Sequence, residues 1–339
     1  MAVVYIKEQG ACIKKHSNRL IIEKDGELLA ELRLIRVTGI SVIGNVQITT
    51  QALHTILQAG VDVSFFSGSG RYLSHMAPEH SKNIFLRLSQ YHCYESMPDR
   101  LKFARAIVDN KISNQMEMIR QYRWNDSEYD YREDLNSLSE YQKTLERKET
   151  VNGLMGVEGI CSAIYFRAYA KMFRSMISFQ ERTRRPPKDP INAILSLTYT
   201  FLTKEITAAL EAESFELYLG FLHGIRYGRK SLALDLIEEF RQPAADRFVL
   251  RLFNKGMLGE DDFQMEDGAV RLKPNAFKQF CMVYEKWMQE PVYKNESQNF
   301  RDIIRQQADV LKQAVRENKA YQPFCWKEKD GQENVFDLL

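Results

Sequence analysis

The sequence predicts an α+β protein in which a small β-rich N-terminal domain precedes a larger all-α C-terminal domain. Two patterns along the chain lead to this prediction. In about the first 85 residues, short runs of Val, Ile, Leu and Phe are interrupted by turn signals, as is typical of strands. From about residue 81 onward, apolar residues recur every three or four positions, as is typical of helices. We therefore predict an N-terminal domain at residues 1–85, a helical domain at 86–320 and a polar tail at 321–339.

The strand-rich part contains one strong hairpin signal. Strands predicted at residues 19–23 and 28–34 flank Asp25-Gly26, a dipeptide that favours the positive φ angles of tight hairpin turns. The same part of the chain is predicted to hold further strands at 37–48 and 61–66, with a short amphipathic helix at 50–58 between them.

The helical part is divided by a proline-rich segment. Long polar helices are predicted between residues 100 and 148, and an aromatic-rich helix at 162–180. The segment 182–190 cannot lie inside a helix, because its prolines lack the amide hydrogen that a helix interior requires. Pro190 suits the first turn of the next helix, which continues through 192–212, and helices are predicted as far as about residue 319.

The bulk composition excludes several classes of protein. A net charge of +2 excludes a uniformly basic, histone-like protein but leaves room for local basic patches. The five cysteines are odd in number, widely spaced and without a Cys-x-x-Cys motif, so we expect reduced thiols rather than a disulfide framework or a zinc ribbon. No apolar run reaches membrane-spanning length and the N-terminus lacks a signal-peptide pattern, so we expect a cytoplasmic protein.

The most informative segment joins one imidazole to several carboxylates. The motif Gly220-Phe221-Leu222-His223 is followed, twelve residues after the histidine, by Asp235 and an acidic helix. On a helical wheel Asp235 and Glu238 can approach one ion, although the wheel does not choose between Glu238 and Glu239 as the ligand. Upstream, Glu158 lies among apolar neighbours, where a charge is costly unless it is paired or bound to a metal.

Each of these residues also has an ordinary structural interpretation. The acidic helix face can be a solvated surface, His223 a hydrogen-bonded structural side chain, and Glu158 the partner of an arginine such as Arg167. If the residues converge, two carboxylates and one imidazole suit Mg²⁺ or Mn²⁺, and the nitrogen favours Mn²⁺ somewhat. Such an ion polarises a phosphodiester either for hydrolysis by water or for transesterification by a 3′-hydroxyl, and the residues alone do not separate the two outcomes.

Two groups of basic residues are candidates for contact with a phosphate backbone. The first lies in the proline-rich loop, for which a solubilising surface role is the alternative. The second is the more persuasive, because it is interleaved with the candidate metal ligands. The candidate DNA-binding residues are Arg182, Arg184, Arg185 and Lys188 in the first group, and Arg226, Arg229, Lys230 and Arg241 in the second.

Four motifs occur in order along the chain. They are Gly-Val-Glu-Gly at 156–159, Arg-Pro-Pro-Lys-Asp-Pro-Ile-Asn-Ala at 185–193, Gly-Phe-Leu-His at 220–223 and Ser-Leu-Ala-Leu-Asp-Leu-Ile-Glu-Glu-Phe-Arg at 231–241. Together they resemble the Cas1 family, the CRISPR-associated endonucleases and integrases of spacer acquisition, and the resemblance spans nearly the whole chain. It implies an N-terminal β domain and a helical catalytic domain. It also implies that Glu158, His223 and Glu238 are catalytic residues that bind Mg²⁺ or Mn²⁺, with Asp235 as a possible further ligand.

The resemblance further implies a set of partners and a reaction. These are a homodimer that uses the N-terminal domain for dimerisation, the small Cas2 protein, and double-stranded DNA. The 3′-hydroxyl of a captured fragment would attack a phosphodiester at the CRISPR repeat, the insertion step of this prokaryotic defence. Two alternatives stay open, namely a non-catalytic DNA-binding scaffold subunit and a metal-dependent RNA nuclease.

Overall fold

The computed structural model describes residues 2–17, 19–68, 70–78, 83–123, 129–174, 177, 179–183, 186–293 and 296–326. The chain forms two compact units. One consists of residues 1–80 and 271–289, and the other of residues 81–270 and 290–339. Each unit is therefore built from two separate parts of the chain.

Strands dominate the start of the chain and helices the rest. The chain begins with β1 (Ala2–Ile6), β2 (Cys12–His16), β3 (Arg19–Lys24), β4 (Glu27–Leu32), β5 (Val37–Ile43), β6 (Gln47–Ile48), α1 (Thr50–Gln58), β7 (Asp62–Phe66) and β8 (Tyr72–Met76). It continues with α2 (Ile84–Glu95), α3 (Met97–Arg123), α4 (Arg132–Lys143), α5 (Val151–Ala170), α6 (Pro190–Ala212), α7 (Ser231–Leu236) and α8 (Arg247–Asn254). The last elements are β9 (Phe263–Glu266), β10 (Ala269–Leu272), α9 (Pro274–Gln289) and α10 (Phe300–Glu317). This order confirms the predicted α+β class.

Two four-stranded sheets form most of the first unit. One has the order β1-β5-β7-β8, with β8 antiparallel to β7 and the other pairs parallel, and the second has the order β4-β3-β2-β6. Apolar side chains from both sheets and from α1, among them Ile13, Ile40 and Ile56, are fully buried in one core. The predicted hairpin forms between β3 and β4, and its turn residues Asp25 and Gly26 have φ angles of 51° and 87°.

The first unit also contains α9, which lies far along the chain. The backbone N–H of Val3 donates a hydrogen bond of 3.0 Å to Glu285 Oε1 on that helix. The change of apolar period near residue 85 thus marks only one end of the unit. The N-terminal domain predicted at residues 1–85 omits α9. The spacing of apolar residues shows where helices and strands lie, but it does not show which distant helix packs with the N-terminal strands.

The region predicted to be all-α contains a β-hairpin. Strands β9 and β10 pair across Asp267 and Gly268, whose φ angles are 51° and 72°. This is the same Asp-Gly turn signal as in the first unit, so the prediction of helices throughout this region was wrong here. The aromatic-rich helix predicted at 162–180 also differs, since α5 runs from Val151 to Ala170.

Residues 321–326, predicted as the start of a polar tail, are packed into the helical unit. Trp326 is fully buried, and the ring of Phe324 stacks on that of Phe240 with centroids 5.3 Å apart. The backbone N–H of Trp326 donates to Asn114 Oδ1 at 3.0 Å. The tail prediction was wrong for this stretch because it contains large aromatic side chains, of which Tyr321 and Trp326 are buried. The residues that follow Trp326 lie outside the described part of the chain.

In the helical unit, α3 and α6 pack against the segment between α7 and α8, where short 3₁₀ and π turns replace a continuous helix. Helix α6 begins as predicted, with Pro190 in its first turn and Asp189 accepting the backbone N–H of Asn192 at 2.8 Å. Within the described residues, no helix combines the length and the apolar character that crossing a bilayer requires.

A buried carboxyl anchors the segment between α7 and α8. Asp246 is fully buried and accepts hydrogen bonds from the hydroxyls of Tyr165, at 2.9 Å, and Tyr199. Burial raises the pKa of Asp246 to about 6, against the opposing effect of these hydroxyls. The segment that carries Glu238 is thereby fixed to helices α5 and α6.

Candidate active site

Glu158 lies at the edge of the buried face of α5. Leu154, Val157 and Cys161 point inward and are buried, whereas the side chain of Glu158 remains 24% exposed. Its Oε1 atom accepts hydrogen bonds from Lys111 Nζ and, at 2.9 Å, from Ser162 Oγ. The proposed pairing with an arginine is not what the structure shows, because Arg167 binds Asp134 instead, at 2.7 Å.

Glu238 lies in the 3₁₀ turn that follows α7 and is almost completely buried. Its Oε2 atom accepts from Lys111 Nζ at 2.6 Å and from Arg241 Nε at 2.8 Å. Burial alone raises the pKa of Glu238, but the charges of Arg241 and Lys111 outweigh burial and hold the pKa well below its usual range. Glu238 is therefore ionised throughout the neutral range.

One ammonium group joins the two glutamates. Lys111 lies on α3, is only 4% exposed, and its Nζ atom contacts Glu158 Oε1 and Glu238 Oε2 at once. Two oxygens bound to one nitrogen are no farther apart than two hydrogen-bond lengths. The structure thus brings together two predicted ligands that are 80 residues apart in the sequence.

His223 is held by Asp235. The ring Nδ1 of His223 lies 2.8 Å from Asp235 Oδ1, which also accepts the backbone N–H of His223 at 2.8 Å. Asp235 Oδ2 accepts the backbone N–H groups of Phe221 and Leu222 at 2.5 and 3.0 Å. Four donors thus occupy both oxygens of a carboxylate that is 1% exposed. Asp235, predicted as a possible metal ligand, orients His223 and fixes the loop on which the imidazole lies.

Gly220 is required by this close packing. A Cβ atom at this position would lie 2.8 Å from Asp235 Oδ2, from the carbonyl oxygen of His223 and from the backbone carbon of Ser231. Real Cβ atoms do not approach backbone so closely. The glycine that opens the Gly-Phe-Leu-His motif therefore allows the aspartate to reach the loop.

Nearby carboxylates change the pKa of the His223 imidazole. Burial lowers the pKa of His223, but the hydrogen bond and charge of Asp235, together with the charge of Glu238, more than reverse this effect, so the pKa is raised. Because Nδ1 is engaged by Asp235, the ring presents Nε2 to a ligand when it is neutral.

Glu238, and not Glu239, shares the Lys111 ammonium with Glu158. Glu239 is fully buried and accepts hydrogen bonds from the Tyr321 hydroxyl and, at 2.8 Å, from the backbone N–H of Phe324. Burial raises the pKa of Glu239 to about 8, despite these hydrogen bonds. The two adjacent glutamates therefore have different roles, one beside Lys111 and the other holding the C-terminal segment.

Three candidate donor atoms are left without hydrogen-bond partners in the described part of the chain: Glu158 Oε2, Glu238 Oε1 and His223 Nε2. Two carboxylate oxygens and one imidazole nitrogen form a donor set that fits Mg²⁺ or Mn²⁺. Among the described residues, however, no group of three or more His, Cys, Asp or Glu side chains is already positioned to hold a metal ion. The Lys111 ammonium contacts the carboxylates of two of these three residues, Glu158 and Glu238.

Some of the predicted DNA-binding side chains are bound to other groups of the protein, and others are exposed to solvent. Arg182 donates to Asn192 Oδ1 at 2.7 Å and to Ser196 Oγ at 3.0 Å, and Arg229 donates to the Gly224 carbonyl. Lys230 lies 3.5 Å from Glu211 Oε1, and Arg241 binds Glu238. Lys188 and Arg226 are exposed to solvent, whereas Arg184 and Arg185 lie outside the described residues.

Sequence reasoning missed Lys111. A signal was present, because Ala104, Ile107, Val108 and Met118 form the buried face of α3 and Lys111 lies on that face. A lysine at such a position needs a buried partner, although the helical period does not identify which one.

The fold and the site together define a two-unit α+β protein whose helical unit holds a buried carboxylate–lysine–carboxylate arrangement beside an oriented histidine. The family model described as "CRISPR associated protein Cas1" matches residues 4–286, and the chain belongs to this family. The resemblance inferred from the motifs is thereby confirmed.

Relatives of similar length support this assignment. The chain is 34% identical over 331 residues to "CRISPR-associated endonuclease Cas1 3" of Thermus thermophilus, covering 96% of this chain and 97% of that protein. It is 33% identical over 320 residues to "CRISPR-associated endonuclease Cas1 1" of Thermodesulfovibrio yellowstonii, covering 92% and 99%. These matches extend over both compact units.

Solved structures show the same fold. A Cas1 protein from Thermotoga maritima superposes with a TM-score of 0.82 at 25% identity, covering 96% of this chain and 100% of that one. A casposase bound to an integration product superposes with a TM-score of 0.85 at 21% identity, covering 97% and 96%, which shows similarity of fold alone.

Proposed function

We propose that this protein is a metal-dependent DNA endonuclease and integrase of CRISPR adaptation, which inserts captured DNA fragments into a CRISPR array. Membership in the Cas1 family, with relatives named as endonucleases, supports this function. The observation that carries it is the placement of Glu158 and Glu238 on one ammonium, with a free oxygen on each and the free Nε2 of His223.

The chain's own residues would prepare the site for phosphodiester chemistry. Glu158 Oε2, Glu238 Oε1 and His223 Nε2 would hold Mg²⁺ or Mn²⁺, which when bound polarises a phosphodiester and lowers the pKa of an attacking hydroxyl. Asp235 engages Nδ1 of His223 and so leaves Nε2 free for a ligand. Arg241, bound to Glu238 Oε2, keeps that carboxylate ionised and fixed, so it need not reorganise during the reaction.

The proposed substrate and partners follow the family. The 3′-hydroxyl of a captured double-stranded DNA fragment attacks a repeat phosphodiester, and exposed Arg226 and Lys188 neutralise the backbone without reading sequence. We include in the proposal a homodimer that uses the N-terminal unit, and association with a Cas2 protein.

A strand-transfer assay tests the proposal. Labelled duplex DNA with a 3′-hydroxyl end is incubated with a repeat-containing target, Mn²⁺ and the Cas2 partner. We expect joined product with wild type and at least about a hundredfold less with Glu158→Gln, because the variant loses one anionic ligand. The matched control is Glu140→Gln, which removes an exposed glutamate paired with Lys143 and should retain full activity.

The outcomes separate the alternatives. Joined product that persists with a 3′-dideoxy end would exclude attack by the 3′-hydroxyl. Binding of DNA without any joining or nicking in the presence of Mn²⁺ would favour a non-catalytic scaffold. Cleavage of RNA in preference to DNA would favour an RNA nuclease.

A further inference from the structure

Lys111 is a buried cation placed between two carboxylates. Its side chain is 5% exposed, and its ammonium contacts Glu158 Oε1 and Glu238 Oε2. We propose that this ammonium is a built-in counterion that a divalent cation displaces from at least one carboxylate, so that Lys111 sets the affinity of the site for metal. The inference rests on the proposed function, because it concerns the same metal site.

The metal-free protein needs such a counterion. Glu238 is 4% exposed at its side chain, and a second carboxylate faces it within two hydrogen-bond lengths. Two like charges at this separation, one buried and one partly buried, repel each other and favour protonation or separation of the pair. The ammonium holds them facing each other, whereas the ion pair of Arg241 involves Glu238 and not Glu158.

The same ammonium opposes a divalent cation. Metal–oxygen distances are about 2.0–2.6 Å, so a divalent cation bound to both glutamates would lie close to Lys111 Nζ, which contacts both carboxylates, and the two positive charges would repel each other. Binding of such a cation would therefore displace the ammonium from at least one carboxylate, which the flexible four-carbon chain of the lysine allows.

A purely structural ion pair makes a different prediction. If Lys111 only stabilises the fold, its removal lowers the free energy of unfolding and leaves the affinity for metal unchanged or reduced. If Lys111 competes with metal, removal destabilises the metal-free protein but tightens metal binding. The stabilisation that bound metal gives to the folded protein therefore increases if Lys111 competes with metal, and does not increase if Lys111 is only a structural ion pair.

The experiment measures Mn²⁺ binding without DNA, by isothermal titration calorimetry, together with the melting temperature with and without Mn²⁺. The variant is Lys111→Met, which keeps the apolar length of the side chain and removes its charge. The control is Lys102→Met, which removes a lysine of the same helix that is 66% exposed and paired with Asp99. We expect Lys111→Met to melt lower without metal, to bind Mn²⁺ at least about tenfold more tightly, and to gain more stability from Mn²⁺ than wild type.

Mn²⁺ affinity that is unchanged or weaker in folded Lys111→Met overturns the inference. If this variant does not fold without metal, folding induced by Mn²⁺ below the wild-type Kd supports the inference, and Lys111→Gln is measured in its place, with the same expected tightening. The variant Glu158→Gln distinguishes an error in the proposed metal site from an error in the role of Lys111. Wild-type Mn²⁺ binding that survives Glu158→Gln contradicts the proposed metal site itself, whereas its loss, combined with no tightening in Lys111→Met, contradicts only the role of Lys111.

Discussion

Replacing Asp235 by asparagine should disconnect the histidine loop from the acidic helix. Asp235 accepts four hydrogen bonds, three from backbone N–H groups and one from His223 Nδ1. An amide of the same shape has one acceptor oxygen and one NH₂ group. Each oxygen of Asp235 accepts two of the four bonds, so either orientation of the amide loses two of them. The two donors that lose their acceptor then face the NH₂ group.

The expected loss follows from these contacts. Hydrogen bonds to a charged group contribute about 1.5–3 kcal/mol each, so the loss of two in Asp235→Asn should lower the free energy of unfolding by about 3–6 kcal/mol. The pKa of His223 should also fall, because the bond to Asp235 and its charge raise that pKa against the effect of burial.

Two measurements on the same variant check this reasoning. Denaturant unfolding gives the stability difference, and NMR titration of the imidazole gives the pKa of His223. Asp130→Asn is the control, since Asp130 is exposed and its pair with Arg132 should contribute less than about 1 kcal/mol. An Asp235→Asn variant within about 0.5 kcal/mol of wild type, with an unchanged His223 pKa, would refute the proposed role of Asp235.

Three further predictions concern packing and pH. Gly220→Ala should destabilise by about 1–3 kcal/mol in denaturant unfolding, because its methyl carbon would lie 2.8 Å from backbone atoms, whereas Gly224→Ala, with 3.6 Å to the nearest side-chain atom, should cost less. Between pH 3.8 and about 6, native Asp246 keeps a proton that the unfolded chain releases, so unfolding free energy should fall by up to about 3 kcal/mol as pH rises, and Asp246→Asn should remove this slope. Trp326→Ala should cost about 3–5 kcal/mol while exposed Gln322→Ala costs little, and equal effects would contradict the packing of this segment.

Local signals in the sequence predicted the parts of the fold that short-range physics decides. The Asp-Gly turn at residues 25–26 and the start of α6 at Pro190 depend on backbone angles and capping that lie within four residues. The hairpin at Asp267-Gly268 carried the same turn signal and was missed because the surrounding segment was interpreted as helical throughout.

Long-range pairing decided the rest. The sequence singled out Glu158, His223 and Glu238, but it contained no indication that Lys111 joins two of them. A run of arginines likewise does not reveal which guanidinium faces water. Arg182 is held by Asn192 and Ser196, whereas Arg226 is exposed. Such choices depend on side chains from distant helices, which only the folded chain brings into contact.

Diffraction from a crystal grown with Mn²⁺ would show whether Glu158, Glu238 and His223 bind one metal ion. Anomalous scattering locates manganese independently of the protein atoms. We expect one peak within bonding distance of Glu158, Glu238 and His223 Nε2, with the ammonium of Lys111 moved away from at least one glutamate. A peak elsewhere in the helical unit, or no peak between these three side chains at saturating Mn²⁺, would contradict this expectation.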